Sequence, residues 1–270
     1  MYTQRNKYWP AYTWKIQTSY SSEIKNRLSP EIKISEDDFG IIYFNIFNKI
    51  NASFYHLEKL KESQEIAVNL GKALSTIKIP GTKNIGCIAA SYYEPVQYEY
   101  EAFLVIMKSS LDFISILISN SIGRKDDTIT NLSEVAKSRT IRRSPFANKL
   151  YSLTLINPFS KLINEFKNSP NGKKSKRNFG VHIGSLPIGS INVPIDNPSV
   201  PILLSKAFDP YEKNLNFNNA PDLIEYCESM FYTTCDLFIK VLSIFTRSNL
   251  KPGQKMSIYE LKKSYDKRSK

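Results

Sequence analysis

Residues 100–118 read YEAFLVIMKSSLDFISILI, and the way the apolar side chains recur in this stretch decides the fold. From Tyr100, the residues Leu104, Met107, Leu111, Ile114 and Ile118 follow at steps of 4, 3, 4, 3 and 4. That spacing places all six on one side of an α-helix, whereas a strand would need alternation. Pro95 suits the first turn of such a helix, where its missing N–H costs nothing. A second stripe, Glu101, Lys108 and Asp112, lies about 100° around the axis and reads as a polar face. A helix with an unbroken apolar seam of this length packs lengthwise against other helices.

The flanking sequence supplies the partners. Upstream, Ser35 followed by Glu36, Asp37 and Asp38 predicts an N-cap with acids in the first turn, opening a helix that runs to about 76. Phe47, Ile50, Phe54 and Leu57 mark its buried face, and His56, off that stripe, is expected at the surface. Pro80, Gly81 and Gly86 mark 77–92 as a connection. Downstream, Asn219, Pro221 and Asp222 start a helix to about 247. Leu223, Cys227, Met230, Thr234, Leu237, Val241 and Ile244 line one of its faces, and Phe231, Cys235, Phe238, Leu242 and Phe245 a second. A helix apolar on so wide an arc belongs between others. Residues 150–166 regain helical periodicity through Leu153, Ile156, Phe159 and Ile163. The expected fold class is therefore mainly all-α.

Three segments depart from this pattern. Residues 1–34, rich in Tyr and Trp and broken by Pro10 and Pro30, read as an irregular arm that packs over a core or a neighbouring subunit. Residues 183–220, with Gly, Pro and Asn between short apolar runs, predict a β-hairpin or extended lobe inserted in the helical domain, which spans 35–250. The basic tail, 251–270, follows it.

Composition narrows the function. With 270 residues, 41% of them hydrophobic, the chain can bury a substantial core. A net charge of +12 and a pI near 9.4 favour a polyanionic partner, with nucleic acid ahead of a membrane surface; a general enrichment in lysine would give the same balance. Cys87, Cys227 and Cys235 form no CxxC pair and read as core residues in a reducing, cytoplasmic setting. The most apolar long segment, 96–118, is interrupted by Glu99, Glu101, Lys108 and Asp112, so neither export nor membrane insertion is expected. Gly71-Lys72-Ala73 lacks the other elements of a P-loop, and no GxGxxG, GxSxG or HExxH is present. No metal site and no cofactor are expected.

One stretch nominates chemistry: Arg177-Asn178-Phe179-Gly180-Val181-His182. Arginine is a fixed cation whose fork matches phosphate, and histidine exchanges a proton near neutral pH. Together they suit phosphodiester cleavage without a metal, in which a base takes the ribose 2′-hydroxyl proton and an acid protonates the leaving oxygen. On an ideal helix Arg177 and His182 stand about 140° apart, so with Gly180, Gly184 and Pro187 nearby the helix should start, end or distort within the stretch. Lys173, Lys174 and Lys176 precede it in a loop that is a candidate RNA contact or simply solvated, and Arg142 and Arg143, clustered around an expected short helix, are a second candidate phosphate surface. The stretch itself also reads as a loop arginine followed by a half-buried histidine bonded to backbone.

An arginine, a polar residue beside it and a histidine five positions beyond the arginine resemble the signature of the HEPN superfamily (higher eukaryotes and prokaryotes nucleotide-binding). The resemblance, carried over 36–182 and 220–247, implies an up-and-down helical bundle acting as a homodimer, with a composite site built from two copies of the motif. It implies that Arg177 grips the scissile phosphate, Asn178 orients it and His182 is the acid/base. Glu101 or Asp112, on a neighbouring helix, would support them by hydrogen bonding. The implied activity is metal-independent RNA cleavage leaving a 2′,3′-cyclic phosphate, in toxin–antitoxin biology or phage defence, with an antitoxin or regulatory protein as a further partner. The rival expectation is a catalytically silent homodimer that binds nucleotide, RNA or protein.

Overall fold

The computed structural model describes residues 31–75, 94–123, 145–166 and 221–246. They form five helices: α1 (Glu36–Ser75), α2 (Glu94–Ser121), α3 (Pro145–Leu155), α4 (Phe159–Glu165) and α5 (Leu223–Thr246). No strand occurs among the described residues, which are mainly α-helical as expected. Residues 1–30 of the aromatic arm, the lobe expected at 183–220 and the basic tail lie outside the described residues.

Helix boundaries follow the capping chemistry. Ser35 Oγ accepts the Asp38 N–H at 3.1 Å and donates to Asp38 Oδ2 at 2.7 Å, satisfying a donor that the first turn of α1 leaves open. Asp222 Oδ1 does the same for α5, accepting from the N–H groups of Ile224 at 2.9 Å and Glu225 at 3.1 Å. At the end of α2, Gly123 adopts φ +78°, a left-handed conformation that glycine takes without a Cβ penalty. There the Ser121 carbonyl accepts the Lys33 N–H at 2.8 Å.

The helical run expected over 150–166 is interrupted. α3 stops at Leu155, a cis Asn157–Pro158 bond follows, and α4 begins at Phe159. Proline lacks the N–H that a continuing helix needs and steers the residue before it away from helical dihedrals. Ile156, expected on the apolar face, is consequently exposed, whereas Phe159 and Ile163 are buried.

The chain divides into two compact units: Met1–Asn51, Ser109–Ile163 and Thr233–Lys270 in the first, Ala52–Lys108 and Asn164–Tyr232 in the second. α1, α2 and α5 each contribute a stretch to both. In the first unit α1 and α5 run antiparallel, since Phe39 meets the Phe245 ring at 5.9 Å while Tyr43 meets Phe238 at 5.5 Å. Phe146 of α3 stacks on Phe245 at 5.6 Å, and Leu111, Ile114, Leu117 and Ile118 of α2 are buried in the same unit. Each buried ring or aliphatic side chain of this kind contributes about 1.5–3 kcal/mol relative to exposure. Ser115 and Ser121 are also buried on α2, and their hydroxyls donate to the carbonyls of Leu111 at 2.9 Å and Leu117 at 2.6 Å. Polar atoms thereby enter the apolar seam with partners from their own helix.

In the second unit α1 and α5 are again antiparallel, with Phe54 against Phe231 at 5.7 Å and Lys61 tied to Glu228 at 2.8 Å. Leu57, Leu60, Val96, Tyr100, Phe103, Leu104, Met107, Cys227 and Met230 are buried there. The seam read from the sequence, Tyr100 through Ile118, is buried at all six positions. By length and composition α2 is also apolar enough to cross a membrane, although 56% of its most apolar stretch is buried within the fold itself.

Candidate functional site

The stretch Arg177 to His182 and its basic neighbours Lys173, Lys174 and Lys176 lie outside the described residues, as do Arg142 and Arg143. Of the site residues expected from sequence, the structure describes Glu101 and Asp112, both half-buried on α2. They belong to different compact units, Glu101 to the second and Asp112 to the first. Glu101 Oε1 accepts a hydrogen bond from Gln97 Nε2 at 3.2 Å, one turn earlier on the same helix.

The second unit concentrates ionisable groups that one-dimensional spacing did not bring together. His56, expected at the surface, is instead half-buried, its Nδ1 2.7 Å from Glu99 Oε2 on α2. A position just off the apolar stripe of α1 borders the helix packed against that stripe, and Glu99, which reads in the sequence as an interruption of an apolar run, sits where it can receive the imidazole. The Tyr55 ring meets that imidazole edge-on with centroids 5.2 Å apart, and Lys59 Nζ lies 5.9 Å from the centre of the Tyr55 ring.

A second cluster surrounds Lys61. Its side chain is 9% exposed, and its ammonium is 2.7 Å from Glu58 Oε1 and 2.8 Å from Glu228 Oε1. A buried lysine of this kind persists because two carboxylates share its charge. Nothing in the spacing of the sequence singles it out, since its inter-helix partner is 167 positions away, at Glu228.

The third cluster is phenolic. Tyr226 Oη donates to Glu165 Oε2 at 2.7 Å. Burial pushes the Tyr226 hydroxyl far above its ordinary titration range, and the neighbouring Tyr100 and the Glu165 carboxylate push the same way. Burial also raises the Tyr100 hydroxyl well above its usual value, reinforced by Cys227, Glu165 and Glu101. Both phenols are therefore held neutral. The Tyr100 oxygen is buried without a hydrogen-bond partner among the described residues.

Among the described residues no group of three or more His, Cys, Asp or Glu side chains is placed to hold a metal ion. Cys227 and Cys235, read as core residues, are buried. The described arrangement can thus orient one imidazole, neutralise one buried cation and hold two phenols protonated.

Searches with the whole sequence and structure found no matching family model, no matching curated protein and no matching solved structure.

Proposed function

We propose that the chain is a metal-independent endoribonuclease acting as a homodimer, and that Arg177, Asn178 and His182 carry its chemistry. The observation that carries this reading is the stretch Arg177-Asn178-Phe179-Gly180-Val181-His182, which joins a permanent cation, an amide and a proton-exchanging ring within six residues of a helical protein of net charge +12. The all-α architecture supports it, because a HEPN-like site requires helices packed along their length, as α1 and α5 are within each unit.

In the proposed reaction a ribose 2′-oxygen attacks the adjacent phosphorus and loses its proton to a base. The bond from phosphorus to the 5′-oxygen breaks, and that oxygen takes a proton from an acid. The products are a 2′,3′-cyclic phosphate and a 5′-hydroxyl. His182 serves as the proton-transfer group, Arg177 holds the non-bridging oxygens as charge builds, and Asn178 orients the phosphate. Two copies of the motif, one from each subunit, would supply both a base and an acid. Lys173, Lys174, Lys176, Arg142 and Arg143 would concentrate RNA around the motif, and this binding should weaken steeply with salt.

The decisive experiment incubates the purified protein with single-stranded RNA in excess EDTA. Cleavage leaving cyclic-phosphate ends is expected, and His182→Ala should abolish it with the helical circular dichroism unchanged. Equal cutting by His182→Ala and the wild type would overturn the proposal. RNA binding with no cleavage at all would assign the chain to the catalytically silent, RNA-binding class.

A further inference from the structure

Histidine occurs twice in this chain, and His56 is held in a defined orientation on α1. With Nδ1 2.7 Å from the Glu99 carboxylate, that nitrogen carries the hydrogen of the bond, and Nε2 is the ring atom left to meet a ligand. Among the described residues Nε2 has no hydrogen-bond partner. The pair is not sealed in the core, since the two side chains are 23% and 27% exposed.

Its surroundings differ from those of an ordinary inter-helix ion pair. Tyr55, 57% exposed, packs its ring against the His56 imidazole, and Lys59, whose ammonium is also 2.7 Å from Glu62 Oε2, stands over the ring of Tyr55. Tyr98, the residue before Glu99, is 62% exposed on α2. An oriented imidazole, a lysine and two largely uncovered phenol rings thus occur within a few residues on two helix stretches of the same compact unit. Single-stranded nucleic acid is bound by such groups, with cations and hydrogen-bond donors on the phosphates and aromatic faces under the bases.

We infer that His56, Tyr55, Lys59 and Tyr98 form a binding site for single-stranded RNA, with Nε2 of His56 accepting a hydrogen bond from a ribose 2′-hydroxyl and the tyrosine rings stacked on bases. Glu99 is a positioning residue that fixes the imidazole and does not touch the ligand. The inference rests on the reading of the chain as a protein that acts on RNA, but it uses none of the residues assigned to cleavage.

Having two histidines makes the test direct. Protein labelled with isotopes at histidine is titrated with a short oligouridylate and, separately, with uridine 3′-monophosphate, and the His56 ring signals are assigned with His56→Gln. The His56 signals should shift with saturation by either probe. Tyr55→Leu and Tyr98→Leu, each with an unchanged helical spectrum, should weaken oligouridylate binding about tenfold, as the loss of one stacked base predicts. His56 signals that stay fixed at saturating oligouridylate, or both leucine variants binding as tightly as the wild type, would overturn the site. A chain that moves its His56 signals but never cuts RNA would sink the ribonuclease reading and keep this site, and cutting through His182 with His56 unmoved would do the reverse.

Discussion

Replacing Lys61 with methionine keeps most of the apolar stem and removes the charge, leaving the Glu58 and Glu228 carboxylates without the cation between them. At separations of 2.7 and 2.8 Å, each attraction has a gross Coulomb energy of about 6 kcal/mol at an effective dielectric of about 20. Desolvation of the ammonium offsets several kcal/mol of that total. The carboxylates are unequally placed, since the Glu58 side chain is 19% exposed and that of Glu228 is 37% exposed, so water and salt screen the second more. Lys61→Met should therefore destabilise the protein by about 3 kcal/mol, near the lower end of the range for breaking a buried pair. In a double-mutant cycle in urea, Lys61→Met and Glu228→Gln should show a coupling of about 1–2 kcal/mol that shrinks as salt is added. Adding Glu58→Gln to that double variant should recover stability, because no uncompensated charge then remains. A coupling below about 0.3 kcal/mol at low salt would refute the claim that this contact ties α1 to α5.

Two further outcomes concern the phenols and the aromatic core. Tyr100 and Tyr226 hold their protons more tightly in the folded chain than when unfolded, so the stability they confer is fully present below the ordinary tyrosine value of 10.0 and is lost as the pH rises past it. The loss should be about 1.4 kcal/mol per pH unit for each phenol that ionises on unfolding, and it should appear as tyrosinate absorbance rising together with loss of helical circular dichroism. Tyr226→Phe should make the alkaline transition shallower; an unchanged slope would show that this phenol does not drive it. Phe238→Ala should cost about 3–5 kcal/mol in urea unfolding, because Phe238 is fully buried against Tyr43, whereas Ile66→Ala at an exposed position should stay within about 0.5 kcal/mol.

Where a structural property depends on residues close in sequence, it was readable in advance. The seam from Tyr100 to Ile118 repeats at helical spacing, and Ser35 and Asp222 announce helix starts through their own hydrogen bonds. The α5 faces were also legible: Phe231, Cys235, Phe238, Leu242 and Phe245 are all buried, although Ile244 at the end of the other face is half-buried. The reading failed where a local pattern met a stronger constraint or a distant partner. Ile156 has the right spacing for a buried helical position, but Pro158 ends that regularity. His56 and Glu99 are 43 positions apart, and Lys61 and Glu228 farther still, so no periodicity within one helix could pair them. The expected supporting acids, Glu101 and Asp112, could be placed on a helix but not assigned a common neighbour, because spacing along α2 does not reveal which helix faces which residue.

Cys227 and Cys235 lie about two turns apart on α5, yet they belong to different compact units, the first to Asn164–Tyr232 and the second to Thr233–Lys270. Burial keeps the Cys235 sulfur protonated, with its titration pushed well above the ordinary value, so a thiol-specific reagent must wait for the surrounding helices to part. Each unit thus carries its own clock: the pace at which a modifying reagent captures either sulfur records how often that part of the molecule breathes open.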